Sequence, residues 1–419
     1  MKLTKFGQVA LATAACLAAG LSLTACNPSS TVDYVFVTST TSSGGKVSSY
    51  HLDSVSGSLS EVGGSPFSSQ GNNPVAEVPS PNGQYLYVAN EASNNIAEMT
   101  IGTDGQLSPG KTYTTPGTEP ISLAMNTKGT LLFVLDYYGP GYSDATPGPG
   151  ALVVYPINSD GSLGSPVASG GSSYSPVQCF PGGVAVTANG SYAYVTNTNS
   201  VVVTTTPPST GTLPATPAGC PTNGTISGFS VSSSGVLAAV AGSPFPAGTT
   251  PTGIAIDPTS RFVYATDSVQ NQLIAYDILA GGVLQPLING PFETGTYPVG
   301  ITIDPRGEYL YVTDFNSASV NEFTINQQSG APSAGASNSF GTKQPYPTCV
   351  VVDPALGRWL YTSDFSAPGN ITAATLNPST GALGGVQNSP FPANGVPTCV
   401  AAVPHGNHAS QYDSAYPGQ

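Results

Sequence analysis

Six side chains of one chemical kind recur at one position of a repeated segment: Asn90, Asp136, Asn197, Asp267, Asp314 and Asp364. Each follows an aromatic-rich run, so a fold that stacks the runs side by side puts six oxygen-bearing groups on one face. Such a ring suits a hard cation such as Ca2+, which takes several oxygen ligands. The same groups also cap turns through their own backbone, and recurrence in nearly every copy favours that use, because a structural need repeats while a site rarely does. Tyr137, Tyr138, Phe315 and Phe365 lie directly beside members of this ring. They outline an aromatic-lined binding face fitted to a sugar or peptide. The histidines offer less. His51 falls in an outer run and His405 and His408 in the tail, too dispersed to build one catalytic centre.

Six cysteines divide into two sets. Cys16 and Cys26 lie in an N-terminal segment that carries Lys2 and Lys5 and then an apolar stretch too short to remain in a membrane. Leu23-Thr24-Ala25-Cys26 resembles the lipobox of bacterial lipoproteins, which implies a signal peptide over 1–25, lipidation of Cys26 and a tether over 26–31. The expected location is extracytoplasmic, lipid-anchored to a bacterial membrane, in the periplasm or at the cell surface. The other four pair in the expectation as Cys179 with Cys220, both beside the same repeat, and Cys349 with Cys399, which occupy matching Pro-Thr-Cys-Val segments. Neither CxxC spacing nor a histidine partner supports a metal site there.

The elements that would position these groups are strands. Gly 50 and Pro 39 with only 7% charged residues do not make a helical protein. Seven aromatic runs are visible, among them Tyr85-Leu86-Tyr87-Val88, Tyr309-Leu310-Tyr311-Val312 and Trp359-Leu360-Tyr361-Thr362, each preceded by a Pro-led apolar run. A Gly-x-Leu turn recurs after the third strand of six repeats, and the sixth repeat departs with Ala331-Pro332 after Gly330. Spacings of this size fit four strands per unit and an all-β, seven-bladed propeller over 32–406, with a loose tail over 407–419. The first unit opens on its aromatic strand, and Cys399-Val400-Ala401-Ala402-Val403 supplies the missing inner strand, closing the ring. Without Lys2 and Lys5, seven basic residues face 22 acidic ones, a formal charge of −15 that excludes nucleic acid as a partner. A monomer is expected.

Phe262-Val263-Tyr264-Ala265-Thr266-Asp267, Tyr309 to Asp314 and Tyr192 to Asn197 resemble the YVTN repeats of the lactonase family, whose members include 6-phosphogluconolactonase-like and muconate-cycloisomerase-like proteins. The resemblance covers about residues 32–404 and implies the propeller. It also implies lactone hydrolysis, by histidines in the loops entering the inner strands and by basic groups holding a phosphate or carboxylate. Here those loops read Asn73-Pro74-Val75, Glu119-Pro120-Ile121, Ser175-Pro176-Val177, Thr250-Pro251-Thr252, Tyr297-Pro298-Val299, Tyr346-Pro347-Thr348 and Val396-Pro397-Thr398, with no histidine. Arg261, Arg306 and Arg358 sit in turns expected at the opposite face. The expectation is therefore no cofactor beyond the Ca2+ option and a binding or scaffold module for protein, peptide or glycan rather than an enzyme. A lactone hydrolase is the alternative.

Overall fold

The computed structural model describes residues 31–198 and 220–406, and in these the chain forms seven antiparallel sheets around an axis. The inner strands, in ring order, are Val396–Pro404, Pro74–Pro79, Thr118–Met125, Pro181–Val186, Pro251–Ile256, Pro298–Ile303 and Pro347–Val352, and each packs against the next around the full circle. We number the blades one to seven in that order. Thr31–Thr41, the second strand of blade one, pairs with Val396–Pro404, so the two ends of the described chain share one sheet and no inner edge is left open. The expected signal peptide over 1–25, Cys26 and the tail over 407–419 lie outside the described residues.

The repeated motifs act between blades. The third residue of five aromatic strands is a tyrosine whose hydroxyl donates to the carbonyl of the turn glycine in the next blade: Tyr87 to Gly161, Tyr194 to Gly282, Tyr264 to Gly330, Tyr311 to Gly381 and Tyr361 to Gly57, at 2.6–2.8 Å. The first residue of the same strand lies flat against that glycine. A Cβ built on Gly57 would stand 2.2 Å from the Trp359 ring, and one on Gly330 2.2 Å from Phe262. The aromatic strand and the Gly-x-Leu turn are therefore two halves of one clasp. Repeat six keeps its clasp through Gly330 although the leucine is missing.

One inner strand breaks the apolar pattern. Register places Glu77 opposite Val88, the position at which the other blades carry Leu123, Val184, Ile254, Ile301, Val350 and Val400. Thr38 Oγ1 donates to Glu77 Oε2 at 2.7 Å, while Oε1 is buried without a partner. Burial pushes this carboxyl up to about 8, against the lowering by Thr38. Between pH 4.5 and 8 the fold holds a proton that the unfolded chain has released, so its stability falls as pH rises through that window. Glu77→Gln should flatten part of the slope and raise stability at pH 8 by on the order of 2 kcal/mol, with no gain at pH 4.5. Parallel melting-versus-pH curves for wild type and variant would contradict this.

Candidate active site

The inner strands begin on one face, and the residue before each of their leading prolines rims the mouth of the central channel there. In blades two, three, four, six and seven this residue is Asn73, Glu119, Phe180, Tyr297 and Tyr346, and all five have positive φ, between 50° and 63°. For glutamate, phenylalanine and tyrosine that conformation is disfavoured, and such strain persists only where surrounding contacts enforce it. The enforcing contacts are visible. Asn94 Oδ1 accepts the Glu119 N–H at 2.7 Å, and Asn271 Oδ1 accepts the Tyr297 N–H at 2.8 Å. Each asparagine belongs to the preceding blade, so one blade aims the rim residue of the next.

The rim has two halves. On blades two and three, Glu119 and Glu91 stand half-buried with Asp144 of the 137–150 insertion close enough to influence both. Asn73 Nδ2 donates to Glu91 Oε2 and its own Oδ1 accepts from Thr40 Oγ1 at 2.8 Å, a chain that fixes the Glu91 carboxylate. Burial, then Asp144, then Glu91 push the Glu119 carboxyl up to about 7. Glu91 is raised as well, mainly by burial. Tyr137 and Tyr138 pack edge to face at 4.8 Å, Tyr137 lies 5.7 Å from Phe180, and Tyr138 Oη donates to Asp144 Oδ1 at 3.0 Å. Burial holds both phenols far above their usual range, so they stay protonated donors. On blades six and seven the rim is aromatic, with Phe315 between Tyr297 and Tyr346 at 6.0 and 4.9 Å.

Both expected disulfides are present, Cys179–Cys220 and Cys349–Cys399. The first packs with Tyr137, Tyr138 and Phe180, tying Cys220, which precedes the strand Thr225–Val231 of blade four, to the acidic half of the rim. The second joins the inner strands of blades seven and one. Two disulfides in the described residues belong to an oxidising, extracytoplasmic compartment.

Other expected residues sit elsewhere than the face they were to form. Asn90, Asp136, Asn197, Asp267, Asp314 and Asp364 are wholly buried. Asp267 accepts the Thr249 and Thr250 N–H groups, Asp136 that of Gly117 and Asn197 that of Gln178. Asp364 accepts the Thr362 and Thr372 hydroxyls. Asn90 Nδ2 donates to the Ser69 carbonyl. Among the described residues no three His, Cys, Asp or Glu side chains gather as metal ligands. Phe365 is half-buried, its N–H bonded to the Tyr346 carbonyl. His51 and His405 converge on the Tyr34 ring, at 5.5 and 4.7 Å, where dispersal had been expected, but at the far end of blade one from the mouth.

One loop is corrected. Ser175–Cys179 is the outer strand of blade three, paired to Pro149–Pro156, and the true entry into blade four is Phe180-Pro181-Gly182. Gly182 is needed because a Cβ there would meet the backbone of Thr252 at 2.7 Å. The spacing held the signal: the leading proline precedes the aromatic strand by 11 residues at Pro74, Pro120, Pro251 and Pro298, as Pro181 does. The rim carboxylates Glu91, Glu119 and Asp144 lie in separate segments that only the folded ring brings together, so no local motif marks them. Of the basic residues described, Lys46 and Lys343 are on the face of the mouth, and Arg261, Arg306 and Arg358 sit in turns at the opposite end, where Arg261 and Arg306 donate to the Gln327 and Pro378 carbonyls.

Residues 34–178 and 181–352 match the family model described as lactonase, 7-bladed β-propeller. No curated protein matches the sequence. Among solved structures, a candidate 6-phosphogluconolactonase from Bacteroides uniformis is similar with a TM-score of 0.69 and 17% identity, over 89% of this chain and 100% of that one. The periplasmic gluconolactonase of Pseudomonas aeruginosa gives 0.68 and 17%, over 90% and 100%. At these identities the structures share a fold. The family match overturns the expectation of a binding or scaffold module for protein, peptide or glycan, and with it the leaning against an enzyme. That expectation rested on missing histidines, whereas the mouth gathers carboxylates.

Proposed function

Because the chain belongs to the lactonase family of seven-bladed β-propellers, we propose that it hydrolyses an uncharged sugar lactone at the acidic half of the channel mouth. The observation that carries this reading is Glu119, a strained, half-buried carboxyl poised at about 7 beside Glu91 and Asp144. A base with that affinity is partly ionised at neutral pH and still basic enough to take a proton.

In this reading the Glu119 carboxylate accepts a proton from water as the water oxygen bonds to the lactone carbonyl carbon. The carbonyl electron pair moves to oxygen, where the Tyr137 hydroxyl donates a hydrogen bond. Collapse restores the carbonyl and breaks its bond to the ring oxygen, which takes the proton back from Glu119. The aldonic acid then ionises, and the surrounding carboxylates repel it. Tyr297 and Tyr346, backed by the buried Phe315, offer ring faces to the C–H face of a sugar.

Charge decides between the lactones named for the similar structures. A phosphate would meet carboxylates at the mouth and no arginine, so it lacks a clamp and is repelled. The expected result is a kcat/KM for glucono-1,5-lactone at least about tenfold above that for its 6-phosphate. Equal rates, or a preference for the phosphate, would sink the reading. Lipidation at Cys26 after removal of residues 1–25 is the remaining part, supported by Leu23-Thr24-Ala25-Cys26. Cys26→Ser should move the protein from the membrane to the soluble fraction of the cell envelope; a variant that stays in the membrane would count against the anchor.

A further inference from the structure

A second cavity opens on the face of the mouth, outward of the rim between blades five and six. It measures about 510 Å³ and is walled by Glu293, Thr294, Ser317, Ser319, Asn321 and Ser339 with two glycines, so hydroxyls, an amide and one carboxylate supply most of its lining. Behind the wall lies Asp314, wholly buried. Ser319 Oγ donates to Asp314 Oδ2 at 3.3 Å, and a Cβ on Gly295 would stand 2.6 Å from Asp314 Cγ. Asp314 Oδ1 has no partner among the described residues. A buried acceptor left in that state costs about 1–3 kcal/mol, which a hydroxyl donor reaching it would offset.

The cavity adjoins the aromatic half of the mouth. Gly295 is two residues before Tyr297, and Ser317 two residues after Phe315. Each step spans at most about 7 Å of extended chain, a distance comparable with one sugar ring. No basic side chain lines the wall, which removes an anionic occupant, and the lining is too polar for an apolar one.

We infer that this cavity holds the second sugar ring of the substrate, so that the preferred lactone is the terminal unit of a neutral oligosaccharide. The inference rests on the lactonase reading above and deepens it. Serine, threonine and asparagine side chains accept from and donate to ring hydroxyls, while Tyr297 guides the linkage between the rings. Binding energy from this remote ring is available to hold the lactone carbonyl at Glu119.

The test compares lactobionolactone, a disaccharide lactone, with glucono-1,5-lactone on wild type and on Ser339→Trp, which fills the cavity from its open side. Wild type should show about tenfold higher kcat/KM for the disaccharide lactone, and Ser339→Trp should lose that advantage while keeping its rate on glucono-1,5-lactone. Calorimetric titration with lactobionate and gluconate reads the cavity without turnover, and lactobionate should bind about tenfold tighter to wild type only. Equal values for the one- and two-ring compounds in wild type overturn the inference. If neither lactone is hydrolysed yet lactobionate binds preferentially and Ser339→Trp abolishes this, the catalytic reading fails and the cavity assignment stands.

Discussion

Glu119→Gln lowers kcat on glucono-1,5-lactone by about 10²–10⁴-fold, the range general-base catalysis supplies. The amide is nearly isosteric, and the bond that aims this residue runs from its backbone N–H to Asn94, so the substitution removes the base without releasing the loop. KM should change little, because the lost interaction is made to the attacking water rather than to the sugar. Asp144→Asn separates this from a general charge effect. It removes one of the two carboxylates that raise Glu119, so activity should persist with its pH dependence moved to lower pH. Steady-state kinetics of both variants, corrected for spontaneous ring opening, check the pair. A Glu119→Gln enzyme within a few-fold of wild type would remove Glu119 from the mechanism.

The second large effect is on folding. Gly57→Ala should destabilise the propeller by about 2–5 kcal/mol, through a backbone at φ 69° and a methyl driven into the Trp359 ring. Gly57 also accepts the Tyr361 hydroxyl at 2.8 Å, so the damage falls on the clasp that joins blade seven to blade one. Gly170→Ala is the control. Its φ is 60° but nothing stands within 4 Å of the added carbon, which leaves only the backbone cost of about 1–2 kcal/mol. Urea unfolding of the three proteins measures the difference, and equal losses for the two variants would remove the clasp from the account.

The clasp explains which features were legible in the sequence. Tyr264, Gly330 and their counterparts obey one local rule repeated in five blades, and the aromatic strand itself recurs in all seven, so blade number, four-strand units and closure by the last strand follow from pattern alone. The cysteine pairs were readable because Cys349 and Cys399 share a motif and Cys179 and Cys220 flank one repeat. Sites do not repeat, and there the pattern is silent. The six Asp and Asn residues recur, which favours a structural use over a site, and all six are buried. Glu91, Glu119 and Asp144 come from three segments that only the ring brings together, and the positive φ that exposes Glu119 has no signature in its residue type. Phe180 was hidden by Pro176, which mimics the leading proline although the 11-residue step picks out Pro181. Glu77 is a single charge in an apolar series, visible only once the strands are in register.

The pH profile of kcat/KM for glucono-1,5-lactone tests the central claim most directly. If Glu119 is the base, the rate rises with pH through an inflection near 7, where burial and the neighbouring carboxylates set its affinity for a proton, and Glu119→Gln abolishes that inflection. An inflection in the ordinary carboxylate range, or one near 7 that survives in Glu119→Gln, would contradict it.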